Sequence, residues 1–188
     1  MEQYLDSLVA RYRSSGVLVD TSLLLLLYVG LFNPQWIERY TRTRQIGESK
    51  EVFTERDFNF ISSFVDRFDR IVTTPHILTE VSNFLGGKEL HGHVKEGCFQ
   101  VFAQHVTATS TVEHRPHAES LCNAPTFARF GITDTSIIEV AIEEAAQSYL
   151  VLTTDYKLAG HLRKKGFDAL NYNHIRMAVI SQKSRRLL

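Results

Sequence analysis

Four carboxylates, Asp20, Glu80, Asp134 and Asp155, stand at positions where acids can be gathered for chemistry. Asp20 ends the apolar run Val17-Leu18-Val19, and Asp155 follows Tyr149–Leu152 after Thr153 and Thr154. Asp134 stands at the expected start of a helix whose Ile137, Ile138, Ala141, Ile142, Ala145 and Ala146 recur at helical spacing. Glu139, Glu143, Glu144 and Gln147 fall largely elsewhere around that axis. Glu80 lies one residue before Val81 in a second helical pattern, at a boundary between core and solvent. Carboxylates forced together repel, so at least one takes up a proton unless a divalent cation neutralises them. Ligands of oxygen alone favour Mg2+ or Mn2+ over zinc. One or two such ions can hold a phosphodiester, generate hydroxide and stabilise the leaving oxygen.

The elements that must position these acids read as alternating strands and helices. Tyr4, Leu5, Leu8, Val9 and Tyr12 give a leading helix one apolar face, and Ser14-Ser15-Gly16 ends it. Strands are predicted at 17–20, 70–73, 149–153 and 167–171, the last at a sheet edge, with the leucine-rich Leu23–Phe32 as a buried helix closed by Pro34. Further helices are expected around Phe58–Phe68, over His76–Leu85 behind Pro75, over 88–109, as one or two pieces in Glu113–Phe130, over Leu158–Leu162 up to Gly166, and as a final short helix marked by Ile175, Val179 and Ile180. Residues 38–57 are mostly polar and are expected to form a loop or arm, with Arg39, Arg42, Arg44 and Lys50 lacking an apolar partner face. This alternation predicts a three-layer α/β/α domain with a mostly parallel central sheet. In such a sheet chemistry gathers at the carboxyl ends of the strands, beside the helices that begin there. All four acids are expected at that one edge.

The formal net charge of zero is unevenly spread: residues 1–155 carry 13 Lys+Arg against 20 Asp+Glu, and residues 156–188 carry 8 against 1. An acidic body with a basic end suits a metal-dependent enzyme acting on a polyanion, and equally an acidic surface with a solvated basic end. Cys98 and Cys122 suggest no disulfide framework, so a cytoplasmic protein is expected. The opening MEQYLDSLVARYR reads as an amphipathic helix and not a signal peptide, and Leu23–Phe32 is about half the length a bilayer requires, so no membrane partner is expected. The 188 residues suit a single domain, with an N-terminal helix and a polar insertion near 36–57.

The stretches VLVDTS (17–22), TTPHILTEVSNFL (73–85), GITDTSIIEVA (131–141) and VLTTDYKLAGHLRKKGF (151–167) resemble, in order, the motifs of the PIN domain nucleases. The resemblance implies that Asp20, Glu80, Asp134 and Asp155 occupy the family's four acidic positions, with Ser22 and Thr153 at the hydroxyl positions beside the first and last Asp. It implies hydrolysis of single-stranded RNA by a metal-activated water, leaving a 5′-phosphate and a 3′-hydroxyl. It also implies, from the many small members that are toxins, a toxin-like endoribonuclease held silent by an antitoxin protein. Asp20 and Glu80 are 60 positions apart, wider than in compact bacterial members, and the excess falls in the polar 36–57 segment, a candidate antitoxin groove or homodimer contact. Lys157, Arg163, Lys164 and Lys165 follow Asp155 and are expected to bind RNA backbone near the metals.

Plainer roles compete with these. Asp20, Asp134 and Asp155 also suit helix N-caps, and Glu80 suits an exposed helix face. Ser22 and Thr153 equally suit backbone hydrogen bonding. His91-x-His93 and His114-x-x-His117 lack the further ligand a zinc site needs and read as surface residues. No Gly-rich phosphate loop precedes a helix, and Asp20-Thr21-Ser22 lacks the second Asp of a haloacid dehalogenase-like phosphatase. A housekeeping RNA-processing nuclease, or a catalytically silent PIN-like binding module, remain the alternatives.

Overall fold

The computed structural model describes residues 1–40, 52–143 and 149–185, with side chains as far as 178. Arg42, Arg44 and Lys50 of the polar insertion, Glu144, Ala145, Ala146 and Gln147 of the acidic helix, and the last three residues of the basic tail lie outside the described residues.

Helix α1 (Glu2–Tyr12) leads into β1 (Val17–Val19), which is buried at all three positions. Its parallel neighbours are β2 (Ile71–Thr73) and β4 (Leu150–Thr153). Two edge strands complete the sheet, β3 (Thr111–Glu113) beside β2 and β5 (Ala169–Asn171) beside β4. The order β3-β2-β1-β4-β5, parallel throughout and flanked by helices, is the expected α/β/α arrangement. Central strands covered on both faces carry continuous apolar runs, which is why Val17-Leu18-Val19 and Leu150-Val151-Leu152 lack alternation.

Helix α2 (Thr21–Phe32) is apolar all round and fills the interior, packing against α3 (Glu55–Val65), α4 (Pro75–Leu85) and α5 (Gly92–Thr107). No side chain fits at Gly30, where a Cβ would lie 2.3 Å from the Phe58 ring of α3. The remaining helices are α6 (Ala118–Asn123), α7 (Phe127–Glu143), α8 (Tyr156–Lys164) and α9 (Tyr172–Arg185). No described helix is long and apolar enough to cross a membrane.

Three expectations need correction. Strand β3 was not foreseen, because three half-buried edge residues are too few to show a period. The final helix is not short: α9 runs for 14 residues. Of the expected 38–57 loop, residues 55–57 already belong to α3, and among its described residues Tyr40 and Phe53 are buried. There Thr54 starts α3 by donating its N–H and its hydroxyl to Asp57 Oδ2, both at 2.7 Å. The other oxygen of buried Asp57 accepts from Tyr172 Oη at 2.6 Å and pairs with Arg176 Nε at 2.9 Å. This ties α9 to α3.

Candidate functional site

Parallel pairing of β1 with β4 sets two of the acids side by side. Val19 stands opposite Leu152, and the Asp20 N–H still donates to the Leu152 carbonyl at 3.0 Å. Asp20 is then the N-cap of α2, its Oδ1 accepting the Thr21 N–H at 2.6 Å. Its Oδ2 accepts from Thr153 Oγ1, also at 2.6 Å, across the strand pair. Asp155 is the N-cap of α8, where its Oδ1 accepts the N–H groups of Lys157 and Leu158, the latter at 2.9 Å. Capping and membership of an acidic cluster are therefore held by the same side chains at Asp20 and Asp155.

Glu80 comes from the middle of α4. Its Oε2 accepts from Thr21 Oγ1 at 2.8 Å, which brings the carboxylate beside the start of α2, one residue from Asp20. Asp134 reaches the group by a different device. Gly131 breaks α7 with φ 73°, a left-handed conformation that side-chain-bearing residues rarely adopt, and the helix restarts beyond it. Asp134 then lies in the first turn of the restarted helix and is not its cap. Its carboxylate accepts no hydrogen bond among the described residues.

Electrostatics joins the four. Burial pushes the Asp20 carboxyl up to about 6, the hydrogen bonds from Thr153 and Thr21 pull it down, and the charges of Glu80 and Asp155 raise it. Burial pushes Asp134 up to about 7, reinforced by Asp20, Asp155 and Glu80. Among the described residues, no lysine or arginine forms an ion pair with any of the four; the pairs present engage Asp6, Asp57, Asp69, Glu113 and Asp168. An all-oxygen donor set in which burial and mutual repulsion raise two of the acids fits a hard divalent cation in chemistry, because a cation would relieve both effects. In spacing the acids stand apart: among the described residues, no three His, Cys, Asp or Glu side chains form a group that could hold one metal ion.

The hydroxyl residues distribute differently from the expectation. Thr153 does bond to an acid, and it also accepts the Asp155 N–H at 2.9 Å, so one hydroxyl connects the two strand-end acids. Ser22 does not; its Oγ shares a hydrogen bond with Thr154 Oγ1 at 2.9 Å, and the hydroxyl of α2 that meets an acid is that of Thr21. The sequence reading also passed over Asn171 and Asn173, whose Nδ2 groups donate to the Thr154 carbonyl at 3.0 and 3.1 Å and hold the turn before Asp155. Two asparagines at the junction of the last strand and the final helix were the available signal.

The basic residues divide along α8. Lys157 is exposed in the first turn of α8, close to Asp155. Arg163, Lys164 and Lys165 are exposed at its far end, roughly 12–15 Å further along the axis at 1.5 Å per residue. Because α8 links parallel neighbours β4 and β5, it runs back across the sheet, so these three do not surround the acids. His114 Nε2 is hydrogen-bonded to Tyr149 Oη at 2.9 Å, and His117 stands at the N-cap position of α6 without a side-chain bond to its backbone.

No protein-family model, curated protein or solved structure matches this chain.

Proposed function

We propose that this protein is a PIN-like, Mg2+- or Mn2+-dependent endoribonuclease that hydrolyses phosphodiester bonds of single-stranded RNA. The observation supporting this reading is that Asp20, Glu80, Asp134 and Asp155, from four separate segments, lie near enough for their charges to raise the Asp20 and Asp134 carboxyls, without a basic ion-pair partner among the described residues. Such a concentration of acid costs stability and is sensible where a cation relieves it.

Within this reading Thr153 orients Asp20 and Thr21 orients Glu80, while the backbone N–H groups at the start of α8 fix Asp155. Asp134, with no hydrogen bond to its carboxylate among the described residues, is the acid freest to turn toward a ligand. A bound divalent ion would supply Lewis-acid activation of water and neutralise the phosphodiester charge. Gathering three acids onto one ion takes side-chain rotation from the arrangement described above. The alternative reading is a catalytically silent binding module with the same fold.

The biological role we favour is a cytoplasmic toxin ribonuclease whose site a protein antitoxin covers, in preference to a housekeeping processing enzyme. The support is the family resemblance. The direct test is incubation of single-stranded RNA with wild type and Asp20→Asn, with Mg2+, with Mn2+ and with EDTA. Cleavage by wild type alone, with either metal, is expected; RNA left intact under all conditions rejects the nuclease and leaves the binding module. Induced expression in bacteria separates the roles, since a toxin arrests growth and its Asp20→Asn variant does not.

A further inference from the structure

The exposed side of α8 carries a charged stripe that leads away from the acids. Lys157, His161, Lys164 and Lys165 recur at intervals of three and four and so share one side of the helix, while Leu158, Ala159 and Leu162 occupy the buried side. Beside this stripe stands the segment of α7 that precedes the Gly131 break. The Phe130 ring lies 5.1 Å from the His161 ring, centroid to centroid, and the Arg129 guanidinium sits 4.9 Å over Phe130. Arg129, Lys164 and Lys165 all act electrostatically on His161, so the three cations lie around one imidazole. Arg129 and the lysines are exposed, and none of them forms an ion pair among the described residues.

We infer that the seam between α7 and α8 is a single-strand subsite, in which an unpaired nucleobase stacks on the Arg129 guanidinium seated over Phe130 while Lys164 and Lys165 contact the adjoining phosphates. The inference rests on the ribonuclease reading above. Guanidinium planes and aromatic rings are platforms for splayed bases, and a duplex offers no such base. A helix-end cluster of lysines alone would be explained by the helix dipole. That explanation does not account for the third cation, Arg129, which comes from another helix and is held over an aromatic ring. The place along the chain also fits: Phe130 is four residues from Asp134, and His161 is six from Asp155, about 9 Å along the axis. A strand with its scissile phosphate at the acids would pass this platform within one or two nucleotides.

The test compares binding of a labelled single-stranded RNA 12-mer and of an RNA duplex to the full chain in EDTA. Wild type, Arg129→Ala, Arg129→Lys and Phe130→Trp are measured over a series of salt concentrations. Arg129 is exposed, so its variants keep the fold, which far-UV circular dichroism checks. Arg129→Ala and Arg129→Lys are both expected to weaken the 12-mer by roughly 5-fold or more, the lower end of the stacking range. Arg129→Lys keeps the salt slope of wild type, because the charge is retained. Phe130→Trp retains or improves binding, and the duplex responds to none of these changes beyond the charge lost in Arg129→Ala. Wild-type affinity in Arg129→Lys overturns the stacking role, and wild-type affinity in Arg129→Ala overturns the subsite, in both cases with the ribonuclease reading intact. A wild type that binds and cleaves no single-stranded RNA overturns both together.

Discussion

The hydroxyl of Thr153 donates to Asp20 Oδ2 at 2.6 Å and at the same time accepts the Asp155 N–H at 2.9 Å. One buried side chain at the end of β4 thus fixes an acid at the end of β1 and the backbone of an acid at the start of α8. The bond to Asp20 favours its ionised form against the burial that disfavours it. Glu80 is held to the same corner from α4 through Thr21.

Thr153→Val keeps the shape and removes the hydroxyl. It leaves the Asp155 N–H without its acceptor and Asp20 without its donor, a loss of about 1–3 kcal/mol. The Asp20 carboxyl should then titrate above about 6, since the bond lost is one that lowered it. Urea denaturation and carbon-13 NMR titration of the Asp20 carboxyl measure the two effects. A variant as stable as wild type, with Asp20 titrating unchanged, contradicts this account.

Asp20 is both a cap and a member of the acidic group, and two substitutions separate the roles. Asparagine also accepts the Thr21 N–H, so Asp20→Asn keeps the cap and removes a buried charge. Without metal at neutral pH, Asp20→Asn should be at least as stable as wild type. Asp20→Ala should fall below Asp20→Asn by roughly 0.5–2 kcal/mol, the usual worth of an N-cap. Both should lose RNA cleavage. Thermal melts in EDTA decide, and an Asp20→Asn protein clearly less stable than wild type argues that the acid is there for structure alone.

The raised carboxyls predict a pH dependence with a definite sign. Asp134 holds its proton in the folded protein up to about 7 and in the unfolded chain only to its ordinary value of 3.8. Between these values the folded state binds more protons, so this group's contribution falls as pH rises. The stability of Asp134→Asn relative to wild type should therefore grow from about pH 4 to about pH 7 and level off above. We expect a difference of about 2 kcal/mol, well below the full shift at 1.36 kcal/mol per unit, because a half-buried group is partly screened by solvent. Urea midpoints for both proteins in EDTA across this range test it, and a difference independent of pH is the contrary result.

Cation binding should stabilise the fold by linkage. Mg2+ or Mn2+ at a hundredfold excess over its dissociation constant adds about 2.7 kcal/mol. The rise in melting temperature should be lost or strongly reduced in Asp20→Asn and in Glu80→Gln, and should shrink below pH 6, where protons compete for the same oxygens. Differential scanning calorimetry with metal and with EDTA measures it. Equal metal-induced shifts in wild type and Asp20→Asn would place the ion elsewhere.

Much of the frame was legible in the chain because it rests on local patterns. Uninterrupted apolar runs of three or four residues marked β1 and β4 as buried parallel strands, helical spacing marked the helices, and an acid after each run fell at the sheet edge by topology alone. What sequence could not decide was distance. Ser22 and Thr21 are adjacent hydroxyls at the start of one helix, and only packing shows that Thr21 meets Glu80 while Ser22 meets Thr154. Lys164 is close to Asp155 along the chain and a helix length from it in space, because α8 must run back across the sheet before β5 can pair in parallel. Strand β3 and the Asn171–Thr154 bond are contacts between segments far apart or too short to carry a period. Residue types and periodicity are properties of single segments, and they determined the elements and the order of the acids. The separation of side chains from different segments arises only when those segments pack, so the tertiary structure alone decided which hydroxyl serves which acid and which cations lie together.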